Sequence, residues 1–246
     1  MSTQTLSQKT VGAFVRERVG TARVFERFGI DYCCGGDTQL HEACRISNVD
    51  LDEVRAALIE ECSQPQADPE TDWSALSLTE LADDVVARHH TWLRSELPRL
   101  AALIDRVLDA HGAKHPELKT LRDVFATLQN ELYSHMIKEE RVLFPMIRQM
   151  EEARGEGLKS IQHHCGSVNQ PIQVMEHEHD DAGAALRRLR ELTDGFQPPH
   201  DACESYRALL GGLHDLELDL HLHIHKENNI LFPGAAALEA ELIQRG

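Results

Sequence analysis

Two copies of one short motif carry the residues best suited to chemistry in this chain. Residues 135–145 read H-M-I-K-E-E-R-V-L-F-P, and residues 223–233 read H-I-H-K-E-N-N-I-L-F-P. In each copy a glutamate follows a histidine by four positions, which puts both on one helical face, one turn apart. Imidazole nitrogen with carboxylate oxygen suits iron, manganese or zinc, and a carboxylate can bridge two ions. The motif therefore predicts a metal site.

The chain before each motif copy supplies a further histidine at a matching distance. His90 precedes the first copy and His179 precedes the second. Each half of this region thus offers one histidine from a first helix and an H-x₃-E pair from a second helix. Two such helical hairpins predict a four-helix bundle with approximate two-fold symmetry.

The apolar repeat of each predicted helix indicates which histidines face the bundle core. Apolar residues recur at alternating spacings of three and four, and this seam includes one histidine per helix. His89, His177, His221 and His225 lie off the seam, whereas on the second helix the seam continues to Val142. Core carboxylates need a cation, because an unpaired ionised carboxylate in a dry core is prohibitively costly. The predicted metal ligands are His90, His135, Glu139, His179, His223 and Glu227.

The number of ligands favours two metal ions, because six protein ligands exceed the four of a structural zinc site. If both glutamates bridge, each ion receives two histidine nitrogens, two carboxylate oxygens and a share of one oxo or hydroxo bridge. That arrangement leaves room for a small ligand such as O₂ or NO. Lys138 and Lys226 are alternative partners for the glutamates, but each directly precedes its glutamate and points about 100° away on the helix.

A second candidate site is the pair Cys33 and Cys34 in the loop D-Y-C-C-G-G, residues 31–36. We expect adjacent cysteines in a glycine-flanked loop to be exposed and reactive, able to bind iron or a cluster transiently or to exchange thiols. The alternative is a pair of small buried apolar residues beside a turn. Reactivity requires a lowered thiol pKa, which the local sequence does not decide.

The remaining sequence predicts an all-α fold, because Leu, Ala, Glu and Arg dominate and β-branched alternation is absent. We expect a small helical N-terminal domain at 1–62, a linker at 63–72 and an up-down-up-down four-helix bundle at 73–246. The bundle helices are predicted at 78–112, 116–150, 171–195 and 199–229, followed by a short C-terminal helix.

Composition limits the classes of function. The 246 residues carry 25 Lys+Arg against 41 Asp+Glu, a formal net charge of −16. This balance argues against binding to nucleic acid or to an anionic membrane, because both need a basic surface. No uncharged apolar run approaches the ~20 residues of a membrane span, and no signal peptide is recognisable. We therefore expect a soluble cytoplasmic protein with reduced cysteines.

Together, D-Y-C-C-G-G and the repeated H-x₃-E-x₄-F-P resemble the Repair of Iron Centres family, the di-iron proteins of iron–sulfur cluster repair. The resemblance covers nearly the whole chain and implies a vicinal-cysteine domain followed by a hemerythrin-like bundle. It implies two non-haem Fe ions on the six ligands above, bridged by oxo or hydroxo and by Glu139 and Glu227. It also implies roles for Glu131 and Glu178, acidic residues near the second- and third-helix histidines.

The resemblance further implies that the protein restores iron–sulfur clusters damaged by NO or peroxide. Our leading hypothesis is that it does so by supplying iron to damaged client proteins. Two alternatives use the same site: enzymatic reduction of NO, and binding of O₂ or NO by a carrier or sensor. The N-terminal cysteines favour repair, because a carrier has no need of thiols. The sequence leaves open the roles of His163, His164 and Cys165, and whether the chain forms a homodimer.

Overall fold

The computed structural model describes residues 8–63, 73–157 and 166–244. Apart from an isolated bridge between Thr10 and Gln39, every regular element in these ranges is helical, which confirms the all-α fold. Among the described helices, none combines the length and the apolar character that a membrane span requires. The expected linker from residue 64 onward, and the stretch containing His163, His164 and Cys165, lie outside these ranges.

Short helices around one apolar cluster form the N-terminal part of the described chain, here called the N-terminal unit. They are α1 (Val11–Glu17), α2 (Thr21–Phe28), α3 (Leu40–Ile46) and α4 (Leu51–Ser63). Phe25 contacts the rings of Phe14 and Tyr32 in this cluster. Gly29 caps α2 with a φ of 63°, a left-handed conformation that glycine adopts readily. The loop that carries the cysteine pair therefore starts from a well-defined turn.

Four long helical segments form the bundle. The first comprises α5 (Leu78–Val85) and α6 (Thr91–His111), the second α7 (Glu117–Lys138) and α8 (Phe144–Gly155), the third α9 (Asn169–Leu192), and the fourth α10 (Glu204–Lys226) and α11 (Phe232–Gln244). Segments that follow each other in the chain are in contact, and the first also contacts the fourth. This is the up-down-up-down arrangement that short connections produce. The expected short C-terminal helix is instead a continuation of the fourth segment.

Three of these segments contain a turn of π-helix. The turns are π1 (Val86–His90), π2 (Glu139–Leu143) and π3 (Glu227–Leu231). In π2 the N–H of Phe144 donates to the carbonyl of Glu139, five residues back, and π3 repeats this bond. Pro145 and Pro233 closely follow π2 and π3. A proline lacks an N–H and its ring crowds the carbonyl one turn earlier, so the helix accommodates each proline by widening.

Each π turn shifts the apolar seam by one position. Val142, predicted to lie in the seam, is 36% exposed, whereas Leu143 is fully buried. In the fourth segment Leu231 is buried and Ile230 is only partly buried. The prediction for Val142 is wrong because it assumes α-helical spacing through a turn that contains one extra residue.

The bundle core consists of two apolar clusters with a polar layer between them. One cluster includes Leu93 and Leu132, and the other includes Val85 and Phe144. The predicted metal ligands lie between the two clusters along all four segments. The fold therefore surrounds these polar groups with apolar packing on both sides.

The register shift predicts different effects for two neighbouring substitutions. Leu143→Ala should lower the free energy of unfolding by about 2–5 kcal/mol, because it leaves a cavity in a packed core. Val142→Ala, the matched control, should change it by about 0.5 kcal/mol or less, because Val142 lies at the surface. Chemical denaturation of both variants measures the difference, and equal losses would contradict the π-helical register.

Candidate metal centre

The six predicted ligands converge at the centre of the bundle, where their exposed fractions lie between 0% and 4%. The π turns hold three of them: His90 ends π1, Glu139 begins π2 and Glu227 begins π3. Single π turns inside α-helices are frequent at functional sites. The irregular backbone and the converging side chains thus mark the same place in the fold.

The ligand atoms form two sets of four that share both glutamates. One set adds His90 and His223 to Glu139 and Glu227, the other adds His135 and His179, and the atoms of each set lie within 4.8 Å of one another. Oε2 of Glu139 lies 3.2 Å from Nε2 of His90 and 3.3 Å from Nε2 of His135. Glu227 lies 3.2 Å from Nε2 of His179 and 3.1 Å from Nε2 of His223. Each carboxylate therefore faces one histidine of each set, as a bridging ligand must.

Several buried polar atoms at the centre have no hydrogen-bond partner among the described residues. They are both carboxylate oxygens of Glu139, Oε2 of Glu227 and Nε2 of His90. Leaving a buried polar group unpaired costs about 1–3 kcal/mol, and more for a charged group. A cation between the two carboxylates would satisfy these atoms, and their nitrogen and oxygen chemistry fits iron, manganese or zinc. The residues therefore fit a metal centre.

Side chains behind three of the imidazoles orient them toward this centre. Nδ1 of His90 lies 2.7 Å from Glu140, Nδ1 of His135 lies 3.0 Å from Glu178, and Nδ1 of His179 lies 2.8 Å from Asn228. In each pair Nδ1–H donates to the oxygen, so Nε2 is directed at the centre. Such outer partners fix the tautomer and raise the basicity of metal-binding histidines.

The fourth imidazole departs from this pattern. Nδ1 of His223 has no hydrogen-bond partner among the described residues. Instead the ring of His89 stacks on it, with centroids 5.2 Å apart and planes 6° from parallel. His89 precedes His90 as Glu178 precedes His179, so it takes the equivalent place in the internal repeat. His89 presents a ring face to His223, whereas each of the other three imidazoles has a hydrogen-bond acceptor at its Nδ1. The four imidazoles are therefore not equivalent.

His89 lies off the predicted seam, yet only 5% of it is exposed. Its Nδ1 donates to Asp219 at 2.8 Å, and its Nε2 accepts from the ammonium group of Lys226 at 2.9 Å. Lys226 is buried as well and donates to Asp84 at 2.8 Å. The lysine therefore points away from Glu227, as helix geometry predicts, and belongs to a buried polar network beside the metal centre.

Charge pairing keeps the carboxylates of the centre ionised. Burial acts to lower the pKa of His135, but Glu139 and Glu178 raise it to about 10. The hydrogen bond with His135, assisted by Lys138, lowers the pKa of Glu178 to about 2. Burial and Glu227 act to raise the pKa of Glu139, and the facing histidines outweigh them and lower it. Protons on the imidazoles therefore compete with a metal cation for the same lone pairs.

The other off-seam histidines are separate from the ligand sets. His177 is exposed on α9 and lies 3.7 Å from Asp181. His225 is fully buried against the N-terminal unit, where its Nδ1 donates to the carbonyl of Tyr32 at 3.4 Å. Burial lowers the pKa of His225 to about 4, so it is a neutral imidazole. His221 packs edge-on to the ring of Tyr32. His221 and His225 therefore serve the contact between the N-terminal unit and the bundle.

The cysteine loop lies against the bundle beside the metal centre. Asn229, in π3, donates to the carbonyl of Cys33 at 2.9 Å. Sγ of Cys34 lies 3.8 Å from the carbonyl oxygen of His179. A Cβ on Gly36 would lie 1.8 Å from Oδ1 of Asn229, so this close approach requires glycine. Tertiary packing thus brings the cysteine pair next to a candidate metal ligand.

The prediction that both cysteines are exposed is wrong for Cys33, which is 6% exposed. Oδ1 of Asp31 accepts from the backbone N–H groups of Cys33 at 3.0 Å and Cys34 at 2.9 Å, and this closes the loop. The neighbouring Cys34, burial and Asp31 raise the pKa of the Cys33 thiol well above its usual range. Its Sγ lies 4.0 Å from that of Cys34, which is partly exposed.

Glu131 lies at the surface, where it borders a cavity of about 20 Å³ that reaches the metal centre. The cavity is lined by the ligands His135 and His179 and by apolar residues that include Leu132 and Ala182. A space of this volume holds roughly one water-sized molecule. Glu131 therefore lines the approach to the centre and is not one of the converging ligand groups.

Sequence reasoning missed the outer partners of the imidazoles, the π turns and the burial of Lys226. The outer partners Glu140 and Asn228 share a signal that could have revealed them, since each directly follows a motif glutamate. Two of the three π turns in the described chain, π2 and π3, also have a signal, the F-P pair that ends both motif copies, whereas π1 has none. The burial of Lys226 has no such signal, because it depends on Asp84 and His89 of another segment.

Comparison with known proteins agrees with this geometry. Residues 81–235 match the hemerythrin HHE cation binding domain, and residues 7–61 match a domain of unknown function, ScdA_N. The iron-sulfur cluster repair protein YtfE of Enterobacter sp. (strain 638) is 36% identical over 229 residues, 93% of this chain and 97% of the relative. Proteins of the same name from Edwardsiella ictaluri (strain 93-146) and Escherichia coli O81 (strain ED1a) are 40% and 38% identical, over 87% and 88% of this chain and 90% and 91% of the relatives.

The buried histidine and glutamate clusters, the docked cysteine loop and these matches over most of the chain lead to one assignment. This chain belongs to the hemerythrin HHE cation-binding family and, within it, to the iron–sulfur cluster repair proteins with an N-terminal ScdA_N domain.

Proposed function

We propose that the six converging residues bind two iron ions and that the protein takes part in the repair of damaged iron–sulfur clusters by supplying iron. The observation that carries the proposal is the pair of four-ligand sets that share Glu139 and Glu227. The relatives are named as iron–sulfur cluster repair proteins, which supports the repair role. Bound iron would supply a releasable store of the metal and a place for a small ligand such as NO or O₂.

The character of the ligands supports release of iron. All six offer nitrogen or oxygen, and none offers the thiolate that holds the iron of clusters. The set with His90 and His223 is the weaker one, because Nδ1 of His223 lacks an acceptor. Burial also lowers the pKa of His223, so its imidazole is less basic. Iron on this set should therefore leave first.

The docked cysteine loop offers a next position for iron. Asp31, Cys33 and Cys34 present ligand atoms within 4.8 Å of one another. The two cysteines also border a cavity of about 260 Å³ whose acidic lining residues are Asp37, Glu176 and Asp180. Carboxylate and thiolate groups together suit ferrous iron. A thiol must lose its proton to bind, so the arriving cation would displace the proton of Cys33 to water, and the loop could then pass iron to a client protein.

A second candidate function is the binding or reduction of NO at the same centre. The cavity of about 20 Å³ beside His135 and His179 favours it, because this space suits a diatomic molecule better than a larger substrate. The same cavity is compatible with repair, so the two functions are distinguished by measurement of iron transfer and NO consumption.

The ligand assignment predicts the effect of replacing one histidine ligand and one glutamate ligand. Protein isolated with iron should hold about two ions per chain. His135→Leu and Glu227→Leu should each lower the iron content and leave the circular dichroism of the helices intact. His177→Leu is the control, because its ring is exposed and outside both sets. Full iron retention in both ligand variants would contradict the assignment.

The carboxylate of Glu178, which lies behind His135, predicts a moderate loss of iron affinity when it is removed. Glu178→Gln should weaken iron binding by about 10–100-fold, because it removes the acceptor that orients His135 and raises its basicity. Glu191→Gln is the matched control on the same helix, since this glutamate is exposed and pairs with Arg188. Competition with a chelator measures both affinities, and equal values for the two variants would show that Glu178 does not support the centre.

The transfer route predicts separation of iron storage from repair. The double variant Cys33→Ala, Cys34→Ala should keep its bound iron but restore an inactivated iron–sulfur enzyme several-fold more slowly than wild type. The reason is that the thiols, and not the bundle ligands, would receive the leaving iron. Cys62→Ala is the control, because this thiol of α4 is exposed and distant in sequence from the loop. Enzyme reactivation under anaerobic conditions is the measurement.

Two outcomes of this experiment would overturn parts of the proposal. Restoration by the double variant at the wild-type rate would exclude transfer through Cys33 and Cys34. If iron-loaded wild type restores no enzyme but consumes NO catalytically, the repair function is excluded and NO reduction takes its place.

A further inference from the structure

Four metal-binding side chains meet at the end of the bundle opposite α8 and α11. His111 is the last residue of α6 and His115 lies in the turn before α7, so the pair reads H-x₃-H. Asp201 and Cys203 directly precede α10 and read D-x-C. The first pair belongs to one helical hairpin and the second to the other. A shared ligand would therefore join the two hairpins where they turn.

The ligand atoms of these residues are close together. Nε2 of His111 lies 3.2 Å from Sγ of Cys203, and Nε2 of His115 lies 3.0 Å from Oδ1 of Asp201. His111, His115 and Asp201 offer atoms that all lie within 4.8 Å of one another. Bond lengths of about 2.0–2.3 Å in a tetrahedral zinc site put its ligand atoms roughly 3.3–3.7 Å apart. His111, His115 and Asp201 thus approach this spacing, whereas Sγ of Cys203, although close to His111, is not within 4.8 Å of all three and would join them through a side-chain rotation.

Neighbouring groups hold the imidazoles in a suitable orientation. Nδ1 of His115 lies 2.9 Å from Glu117, and this carboxylate turns Nε2 toward Asp201. A carboxylate behind a histidine is the usual partner of a zinc-bound imidazole. Both rings also pack on the buried ring of Tyr206, at centroid distances of 5.4 Å for His111 and 5.6 Å for His115.

The charged neighbours favour a cation at this point. The hydrogen bonds with Asp201 and Glu117 raise the pKa of His115, so the flanking carboxylates already stabilise positive charge on its ring. The one ammonium group close to Asp201 in the described chain is that of Lys114, at 3.6 Å, and it is largely exposed. A metal ion at Nε2 of His115 would replace a proton there and leave Lys114 free to turn into solvent.

We propose that His111, His115, Asp201 and Cys203 bind one zinc ion that links the two hairpin turns. Two imidazoles, a carboxylate and a thiolate give four protein ligands, the number that closes a structural zinc site. The thiolate distinguishes this site from the dinuclear centre, whose ligands are all nitrogen and oxygen. The apolar cluster that contains Leu93 and Leu132 separates the two sites.

Cobalt substitution tests the proposal, because thiolate-bound Co²⁺ has an intense charge-transfer absorption that nitrogen and oxygen ligands do not produce. Iron-loaded full-length protein that carries Cys33→Ala and Cys34→Ala, so that the cysteine loop cannot bind cobalt, is titrated anaerobically with Co²⁺ and then with Zn²⁺. This parent protein should gain the thiolate–cobalt absorption at about one ion per chain and lose it when zinc displaces cobalt. Adding Cys203→Ser to the parent should abolish the absorption, and adding His115→Gln should weaken cobalt binding.

Cys62→Ser is the matched control, since this exposed thiol lies in the N-terminal unit, and it should leave the absorption unchanged. Zinc should also raise the Tm of the parent and of its Cys62→Ser variant, but not that of its Cys203→Ser variant. A parent protein without the absorption would overturn the proposal. Absorption that survives in the Cys203→Ser variant would overturn it as well and would assign the thiolate to another cysteine.

Discussion

The negative charge of two buried carboxylates is the constraint on which the rest of the bundle depends. Glu139 and Glu227 are fully buried between two apolar clusters, each within 3.3 Å of two histidine nitrogens. Such charges are stable in a dry interior only when cations or protons compensate them. Protons on imidazoles such as His135 supply that compensation when no metal is bound. A metal cation that replaces those protons would meet imidazoles already oriented by Glu140, Glu178 and Asn228.

The same glutamates coincide with the points where the helices depart from α geometry. Each begins a π turn that a proline closely follows, and the extra residue rotates the downstream helix by one position. The rotation buries Leu143 and Leu231 below the metal centre, whereas α-helical continuation would bury their neighbours. Ligand placement and the packing of the lower cluster are thus consequences of one backbone feature. This coupling explains why histidine, glutamate and the F-P pair occur together in both motif copies.

Contact between the N-terminal unit and π3 places the cysteine pair beside the candidate metal centre. Asn229 holds the carbonyl of Cys33, and Gly36 allows the loop to approach within contact of that asparagine. The cysteine pair therefore lies against the backbone of His179, one of the six converging residues. The buried state of Cys33 makes it a poor free nucleophile, which agrees better with metal binding than with general thiol exchange.

The sequence by itself determined the helical fold and the six converging residues, because repeated H-x₃-E spacing and the apolar period are local properties of a helix. It did not determine the register beyond Glu139, where a π turn exposes Val142. Only tertiary structure decided the burial of Lys226 and Cys33 and the meeting of His111 with Cys203, since each depends on contacts between segments distant in the chain. The periodicity of apolar residues describes one helix at a time, whereas the burial of a residue depends on the other segments that pack against that helix.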